Sequence, residues 1–324
     1  MAYSDSDVFG ASGINLVVHD RRFVADGVVE LTLRRPDGDE QPLPGWEPGA
    51  HIDLHLSGDM VRQYSLHGDP RDHCEWKISV LREAEGRGGS KFIHDQLRKG
   101  SAVRVTGLRN KFKFVDSTHY VFVAGGIGIT PLLPMLQAAE AAGADWKLYY
   151  GGRARSSMAH VDRVSEFADR ATIWPQDERG LLDLTSICED NGKTALYCCG
   201  PEPLLKAVEE ACAHWPPDRV RMERFVAPDA DDVGELVAFE VELSKSGITL
   251  QIPADRSIMD VATEAGVKVP RSCTEGLCGS CETEVLEGVP LHRDSVLTAE
   301  ERDSNETMMV CVSRARTPRL VLEL

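Results

Sequence analysis

The first third of the chain contains short stretches in which hydrophobic and polar residues alternate. Between about Leu16 and Phe114, turn residues separate runs such as "GVVELTLRR", "HIDLHL" and "EWKISVLRE". Alternation with a period of two is typical of half-buried β-strands. One helical run, "SKFIHDQLRKG", interrupts them, with Ser90 as its predicted N-cap and Gly100 just past its end. The pattern predicts an antiparallel β-barrel or β-sandwich over residues 1–114.

The middle of the chain alternates buried strands with helices. From about His119 to Phe225, "YVFVAGG" precedes "TPLLPMLQAAEAAG", "WKLYYGG" precedes "VDRVSEFADR", and "TALYCCG" precedes "EPLLKAVEEACAHW". Apolar strands that alternate with amphipathic helices indicate a doubly wound parallel sheet, here over residues 115–226. Ligands of such α/β sheets bind at the carboxyl ends of the strands.

The last part of the chain follows an acidic, proline-containing segment, "VAPDADDVGEL", in which residues 227–236 are predicted to be a linker. Beyond it, "FEVELSKSGITLQIP" predicts a hairpin with Phe239, Val241 and Leu243 on one face. The run "SIMDVATEAG" has helical spacing and a glycine stop. These elements predict an α+β domain over residues 237–324.

Composition and charge narrow the possible partners and the compartment. The formal net charge is -16, so nucleic-acid binding is not expected, because phosphate recognition needs a basic surface. The N-terminal "MAYSDSDVFGASG" lacks the features of a signal peptide, and no apolar run is long enough for a membrane span. We therefore expect a cytoplasmic protein, in which nine cysteines are kept reduced and a disulfide framework is disfavoured.

Four of the cysteines have the spacing of an iron–sulfur site. Cys273, Cys278 and Cys281 form C-x4-C-x2-C, and 29 residues separate Cys281 from Cys311. This is the plant-type [2Fe-2S] spacing, in which four thiolates hold two irons. Zinc is the alternative, but zinc sites usually pair two short C-x2-C knuckles, whereas this chain has one compact triplet and one distant cysteine.

With these cysteines in place, the whole chain resembles the phthalate dioxygenase reductase family, which includes vanillate demethylase reductases and similar partners of Rieske or P450 oxygenases. That family joins a flavin-binding barrel, a nicotinamide domain and a C-terminal β-grasp ferredoxin. The resemblance implies three cofactors, FMN, NADH and a [2Fe-2S] cluster. Nothing physical in the sequence excludes an adenylate on the flavin, so the choice of FMN over FAD rests on the resemblance.

The segment "RQYSL" resembles the R-x-Y-S flavin motif of the ferredoxin reductase superfamily. Tyr64 offers a flat face for an isoalloxazine ring, Ser65 a hydroxyl for its N5 edge, and Arg62 a charge for a phosphate. By itself the motif would describe ordinary surface and core residues. In "GRGGSKF", two glycines lead into a helix whose first N–H groups can bind an anion. The resemblance places the flavin on the following residues: Arg62, Tyr64, Ser65, Leu66, Gly88, Gly89 and Ser90.

The turn in "VFVAGGIGITPLLPML" is a variant of the dinucleotide-binding fingerprint. Its glycines, Gly125, Gly126 and Gly128, permit a tight turn and close approach of a pyrophosphate. Thr130 and Pro131 open the helix that follows. A strand, a glycine turn and a helix start in this order predict the nicotinamide dinucleotide site.

Further nicotinamide-site residues follow from the later strand "YCCGPEPLL". In the family the C-G-P motif, here Cys199, Gly200 and Pro201, lies beside the nicotinamide; alternatively Cys199 is a small buried hydrophobe. Phe225 in "MERF" resembles the family's aromatic residue that covers the flavin, although a terminal phenylalanine often plugs a domain interface. Arg153 and Arg155 are candidates for a 2'-phosphate, whereas family precedent favours NADH.

The resulting hypothesis is that the chain is a reductase component of a multicomponent oxygenase. Its predicted catalytic residues are Ser65, Cys199 and Phe225. NADH gives a hydride to the flavin, which passes single electrons through the cluster to a separate Rieske or P450 oxygenase. A monomer is expected. The competing hypotheses are a non-catalytic redox sensor and a reductase that releases reduced flavin. His51 and His67 are predicted to be structural, because hydride transfer needs no general base.

Overall fold

The computed structural model describes residues 13–58, 60–189, 192–227 and 237–324. The chain divides into two compact units, residues 1–223 and 224–324. The first unit holds an antiparallel sheet and a parallel sheet, and the second unit holds a smaller mixed sheet. None of the helices in these ranges is both long enough and apolar enough to cross a bilayer.

The antiparallel sheet of the first unit has six strands in the order β4-β3-β6-β1-β2-β5. The N–H of His67, just after β4, donates to the carbonyl of Lys77 in β5 at 3.1 Å and so joins the two outer strands of the sheet. Alternate side chains point into one apolar core, as the period-two pattern predicts. The strands and the helix of this part are β1 (Ile14–Ala25), β2 (Val28–Arg34), β3 (His51–His55), β4 (Val61–Ser65), β5 (Glu75–Leu81), α1 (Gly89–Gln96) and β6 (Ala102–Arg109).

Helix α1 begins differently from the prediction. Its N-cap is Gly88, with φ of 83°, and Ser90 is the second helical residue. The hydroxyl of Ser90 accepts a hydrogen bond from the N–H of Glu83 at 3.1 Å, so it anchors the preceding loop and does not cap the helix. The prediction of Ser90 as the cap was therefore wrong, because a tertiary contact uses the hydroxyl.

The second sheet of this unit is fully parallel, with the strand order β11-β10-β7-β8-β9. Apolar cores cover both faces, as in a doubly wound fold. Successive strands run outward from β7 in one direction as far as β9, and β10 then returns to the other side of β7. The strands are β7 (His119–Gly125), β8 (Asp145–Gly152), β9 (Ala171–Pro175), β10 (Thr194–Cys199) and β11 (Val220–Glu223).

The order of strands around β7 creates a topological switch point between β7 and β10, the place where open α/β sheets bind ligands.

The predicted helix over "VDRVSEFADR" is shorter than expected, because Ala168 has φ of 45° and ends the helical path. The helices are α2 (Ile129–Ala141), α3 (Val161–Ser165), α4 (Gln176–Arg179), α5 (Leu184–Ile187) and α6 (Glu202–Ala211).

The second unit is a mixed sheet in the order β13-β12-β18-β14-β16, with β12 and β18 parallel. Phe239, Val241 and Leu243 share the buried face of β12, which confirms the predicted hairpin face. The predicted linker lies outside the described residues except for Ala227. The elements are β12 (Phe239–Leu243), β13 (Ile248–Ile252), α7 (Ile258–Glu264), β14 (Glu282–Glu287), β15 (Pro290–Leu291), α8 (Ala299–Ser304), β16 (Thr307–Met309), β17 (Arg314–Ala315) and β18 (Arg319–Leu322).

Candidate functional site

Four buried cysteines converge in the second unit. Cys273, Cys278 and Cys281 lie on the loop between α7 and β14, and Cys311 follows β16. The thiols of Cys273 and Cys278 are hydrogen-bonded to each other, as are those of Cys281 and Cys311. Two thiol pairs suit a pair of bridged irons that is held by four cysteines. The residues present therefore fit the predicted cluster.

Backbone N–H groups of the same loop point at the sulfur atoms. The N–H groups of Glu275 and Leu277 donate to Cys273 Sγ at 3.3 and 3.4 Å, and that of Gly276 donates to Cys311 Sγ. Gly276 has φ of 69°, a left-handed conformation that glycine adopts without strain. Hydrogen bonds to sulfur and burial are the means by which a protein sets the potential of such a cluster.

The start of helix α1 lies beside Arg62. Among the described residues, no side chain caps this helix, so its first N–H groups are available to a ligand. A Cβ at Gly89 would lie 2.6 Å from Cγ of Arg62, so glycine lets the arginine chain lie across the helix start. The guanidinium of Arg62 also donates to the carbonyl of Arg87 at 2.9 Å. A cation next to uncapped helical N–H groups fits a phosphate.

The other residues of the R-x-Y-S motif lie at the end of β4. Tyr64 is partly buried and packs against the barrel core, and Ser65 is buried. Leu66 is completely buried in that core, and its N–H donates to the carbonyl of Ala50 at 2.9 Å. The Leu66 side chain therefore supports the barrel, and the flavin roles of Tyr64 and Ser65 remain predictions.

The three glycines of "GGIG" have different surroundings at the switch point. A Cβ at Gly128 would lie 2.2 Å from the carbonyl oxygen of Cys199, and one at Gly125 would lie 2.6 Å from Cδ of Pro201. Gly126 has φ of 53°, and an added Cβ there would meet nothing within 4 Å. Gly125 and Gly128 are thus required for the turn to pack on the end of β10, and Gly126 is the glycine that faces open space.

The remaining predicted nicotinamide residues complete this packing. The hydroxyl of Thr130 donates to the carbonyl of Ile127 at 3.0 Å and closes the turn before α2, and Pro131 is buried in the first turn of that helix. A Cβ at Gly200 would lie 3.0 Å from Cα of Gly125. The two motifs therefore form one glycine-lined floor at the carboxyl ends of β7 and β10.

Glu223, at the end of β11, joins the two motif regions and was missed by the sequence analysis. The hydroxyl of Ser65 donates to its carboxylate, and Glu223 pairs in register with Cys199 of β10. Its Oε2 atom is buried, with no hydrogen-bond partner within the described ranges. Burial raises the pKa of Glu223 to about 8 against the lowering effect of Ser65, and burial also raises the pKa of Cys199. Its position two residues before Phe225 in "MERF" was the available signal.

Three other predicted residues lie apart from this cluster. Phe225 falls at the start of the second unit and is 39% exposed, so its role against the flavin remains a prediction. Arg153 and Arg155 are both exposed after β8. Their position leaves the preference between NADH and NADPH open.

Comparisons with known proteins agree with this arrangement. Residues 241–316 match the family model of the 2Fe-2S iron-sulfur cluster binding domain. The phenoxybenzoate dioxygenase subunit beta of Ectopseudomonas oleovorans is 42% identical over 314 residues, which cover 96% of this chain and 97% of that protein.

Two solved structures each match 96% of the chain. Phthalate dioxygenase reductase, described as modular for electron transfer from pyridine nucleotides to [2Fe-2S], matches with a TM-score of 0.70 and 35% identity over 98% of its length. An intact type IV self-sufficient cytochrome P450 monooxygenase matches with a TM-score of 0.89 and 42% identity, and the match spans 41% of that longer chain. The comparisons confirm the predicted three-part fold and its C-terminal [2Fe-2S] domain.

Proposed function

Because this chain belongs to the phthalate dioxygenase reductase family, we propose that it transfers electrons from NADH through FMN and a [2Fe-2S] cluster to a separate terminal oxygenase. The oxygenase is of the Rieske or the P450 type. The observation that carries the proposal is the contact of Ser65, in the flavin motif, with Glu223, which pairs with Cys199 at the switch point. Hydride transfer requires donor and acceptor to meet at such a junction.

The proposed roles of the site residues follow from their positions. Arg62 and the start of α1 bind the flavin phosphate, and Tyr64 and Ser65 lie along the ring. Gly126 faces the dinucleotide. The full proposed flavin set is Arg62, Tyr64, Ser65, Leu66, Gly88, Gly89, Ser90 and Phe225. The proposed nicotinamide set is Gly125, Gly126, Gly128, Thr130, Pro131, Cys199, Gly200 and Pro201, and the proposed iron ligands are Cys273, Cys278, Cys281 and Cys311.

The chain's own residues would act by orientation and by exclusion of water. The flavin, when bound, converts a two-electron donor into a source of single electrons. Ser65 donates a hydrogen bond to the carboxyl of Glu223. Because burial raises the pKa of that carboxyl to about 8, it is largely protonated near neutral pH. A protonated carboxyl adds no negative charge beside the electron-rich ring.

The proposed domains are residues 1–114 for flavin, 115–226 for NAD and 237–324 for the cluster, with 227–236 as a linker. We propose a cytoplasmic monomer that docks transiently with its oxygenase. A preference for NADH over NADPH rests on family precedent.

Anaerobic spectroscopy and acceptor assays test the proposal. The loaded protein is expected to show flavin and iron–sulfur absorbance that bleaches with NADH, and it should reduce cytochrome c. Cys278→Ser should abolish cytochrome c reduction and leave ferricyanide reduction largely intact, whereas Cys74→Ser, at an exposed cysteine, is the matched control. Equal loss of both activities in Cys278→Ser would contradict the order of carriers, and a loaded protein that does not bleach would refute the function.

A further inference from the structure

A buried polar cluster lies where the barrel meets the parallel-sheet domain in the first unit. Glu30, His67 and Ser79 come from the barrel, and His160 precedes α3; all four are buried. The Oγ atom of Ser79 lies 2.9 Å from Nε2 of His67 and 2.9 Å from Nε2 of His160. The two imidazole rings are 4.7 Å apart between centroids. One hydroxyl therefore bridges histidines of two domains.

The same cluster has the composition of a metal site, but its surroundings disfavour a cation. Ligand atoms of Glu30, His67 and His160 lie within 4.8 Å of one another. However, Nε of Arg22 is 2.6 Å from Oε1 of Glu30, and Arg163 donates to the carbonyl of His67 at 3.0 Å. A dication would add its charge to two guanidinium groups and compete with the hydroxyl bridge. The cluster is better described as a hydrogen-bonded junction.

Hydrogen bonds on the segment around His160 hold this residue in an uncommon backbone conformation at the junction. His160 has φ of 58° and ψ of 24°, a left-handed conformation that is uncommon for residues other than glycine, although histidine adopts it more often than most. The hydroxyl of Tyr150 in β8 donates to the carbonyl of Ala159 at 2.9 Å, which fixes the preceding residue. The N–H of Asp26 in the barrel donates to the carbonyl of Ser156 at 2.8 Å. The Ser79–His160 and Asp26–Ser156 hydrogen bonds thus join the segment after β8 to the barrel at two places.

We infer that His67, Ser79 and His160 form an interdomain latch that positions the nicotinamide domain against the flavin domain for hydride transfer. The inference rests on the proposed function. The contact between the domains at the proposed reacting site is that of Ser65 with Glu223. The latch residues are not part of that contact, so they affect hydride transfer only by positioning the two domains. Hydride transfer needs reacting atoms about 3 to 3.5 Å apart, and a misplacement of about 1 Å can cost about a hundredfold in rate. A second, rigid contact between the domains restricts that misplacement.

Substitutions separate the latch from the backbone conformation. His160→Gly removes the imidazole and accepts the left-handed backbone without strain, whereas His160→Asn tolerates this backbone and retains an amide near Ser79. Ser79→Ala removes the bridge from the other domain. The matched control is His55→Ala, because Nε2 of His55 lies 2.8 Å from Oγ1 of Thr106 within the barrel.

The first measurement is the rate of flavin reduction by NADH in the anaerobic, fully loaded protein. His160→Gly and Ser79→Ala should each slow reduction at saturating NADH about 10- to 100-fold, and the double variant should be no slower than the slower single variant. His160→Asn should recover part of the rate, and His55→Ala should stay within about twofold of the parent. Electron transfer from chemically reduced flavin to the cluster should not change.

The second measurement is amide hydrogen exchange over residues 153–161, which does not depend on NADH. Exchange should accelerate in His160→Gly and in Ser79→Ala but not in His55→Ala. Parental rates and parental exchange in both latch variants would overturn the inference, as would stoichiometric zinc in the purified protein that is lost in His160→Gly. A parent protein that NADH does not reduce would refute the proposed function, and the exchange data would still decide whether the latch exists.

Discussion

The pH dependence of stability provides a quantitative test of the environment of Glu223. Its Oε2 atom is buried and its carboxyl accepts a hydrogen bond from Ser65 of the flavin motif. Burial raises its pKa from the ordinary 4.5 to about 8. Between these two values the folded state binds more protons than the unfolded state, so stability must fall as the pH rises. Each pH unit in that window costs about 1.4 kcal/mol, and the full penalty is therefore about 4 to 5 kcal/mol above pH 8.

Glu223→Gln removes the ionisation and should remove this pH dependence. The variant should gain about 4 kcal/mol relative to the parent between pH 5 and pH 8.5. Ser65→Ala should have the opposite effect, because the serine hydroxyl donates to the ionised carboxylate and lowers its pKa. The alkaline loss should therefore be larger in Ser65→Ala than in the parent.

Urea unfolding of the flavin-free protein, followed by tryptophan fluorescence, measures the difference. All five tryptophans precede residue 224, so the signal reports the first compact unit. Comparing variants at each pH cancels the titration of all other groups. A difference between the parent and Glu223→Gln that stays constant from pH 5 to pH 8.5 would refute the reasoning, since it would mean that the carboxyl titrates as it does in water.

Other predictions concern the two cofactor sites and acid stability. Gly128→Ala would place a Cβ 2.2 Å from the carbonyl oxygen of Cys199 and should destabilise the protein more than Gly126→Ala, which has open space around it and should cost only about 1 to 2 kcal/mol. Thermal unfolding measures both losses, and equal losses would contradict the packing. Arg62→Ala should weaken FMN binding about 10- to 100-fold in fluorescence titration, because a charged hydrogen bond is lost, and unchanged binding would place the phosphate elsewhere. Burial, with a smaller effect of a nearby arginine, lowers the pKa of His51 from 6.5 to about 4; stability should therefore fall by about 3 kcal/mol from pH 6.5 to pH 4, and His51→Gln should lose less in the same urea titration.

The cluster ligands were predictable because their chemistry is written in local spacing. Three cysteines on one short loop can reach a common centre whatever surrounds them, and only Cys311 had to come from elsewhere. The periodicity of apolar residues likewise predicted the strands of the barrel, the parallel sheet and the hairpin of β12 and β13, since a strand or helix buries a face that its own period defines. The N-cap of α1 was missed because a contact with Glu83 uses the Ser90 hydroxyl, and no local rule contains that contact.

The kinds of element and the order of the domains followed from the sequence alone, as did the prediction of the cofactor residues. Tertiary structure decided which distant side chains meet. Ser79 and His160 are 81 residues apart in the chain and share one hydrogen bond, and Glu223 becomes a site residue because β11 lies beside β10 and its carboxyl accepts from Ser65. Periodicity and spacing describe neighbours along the chain, whereas burial, charge balance and pKa depend on neighbours in space, which only the packed fold supplies.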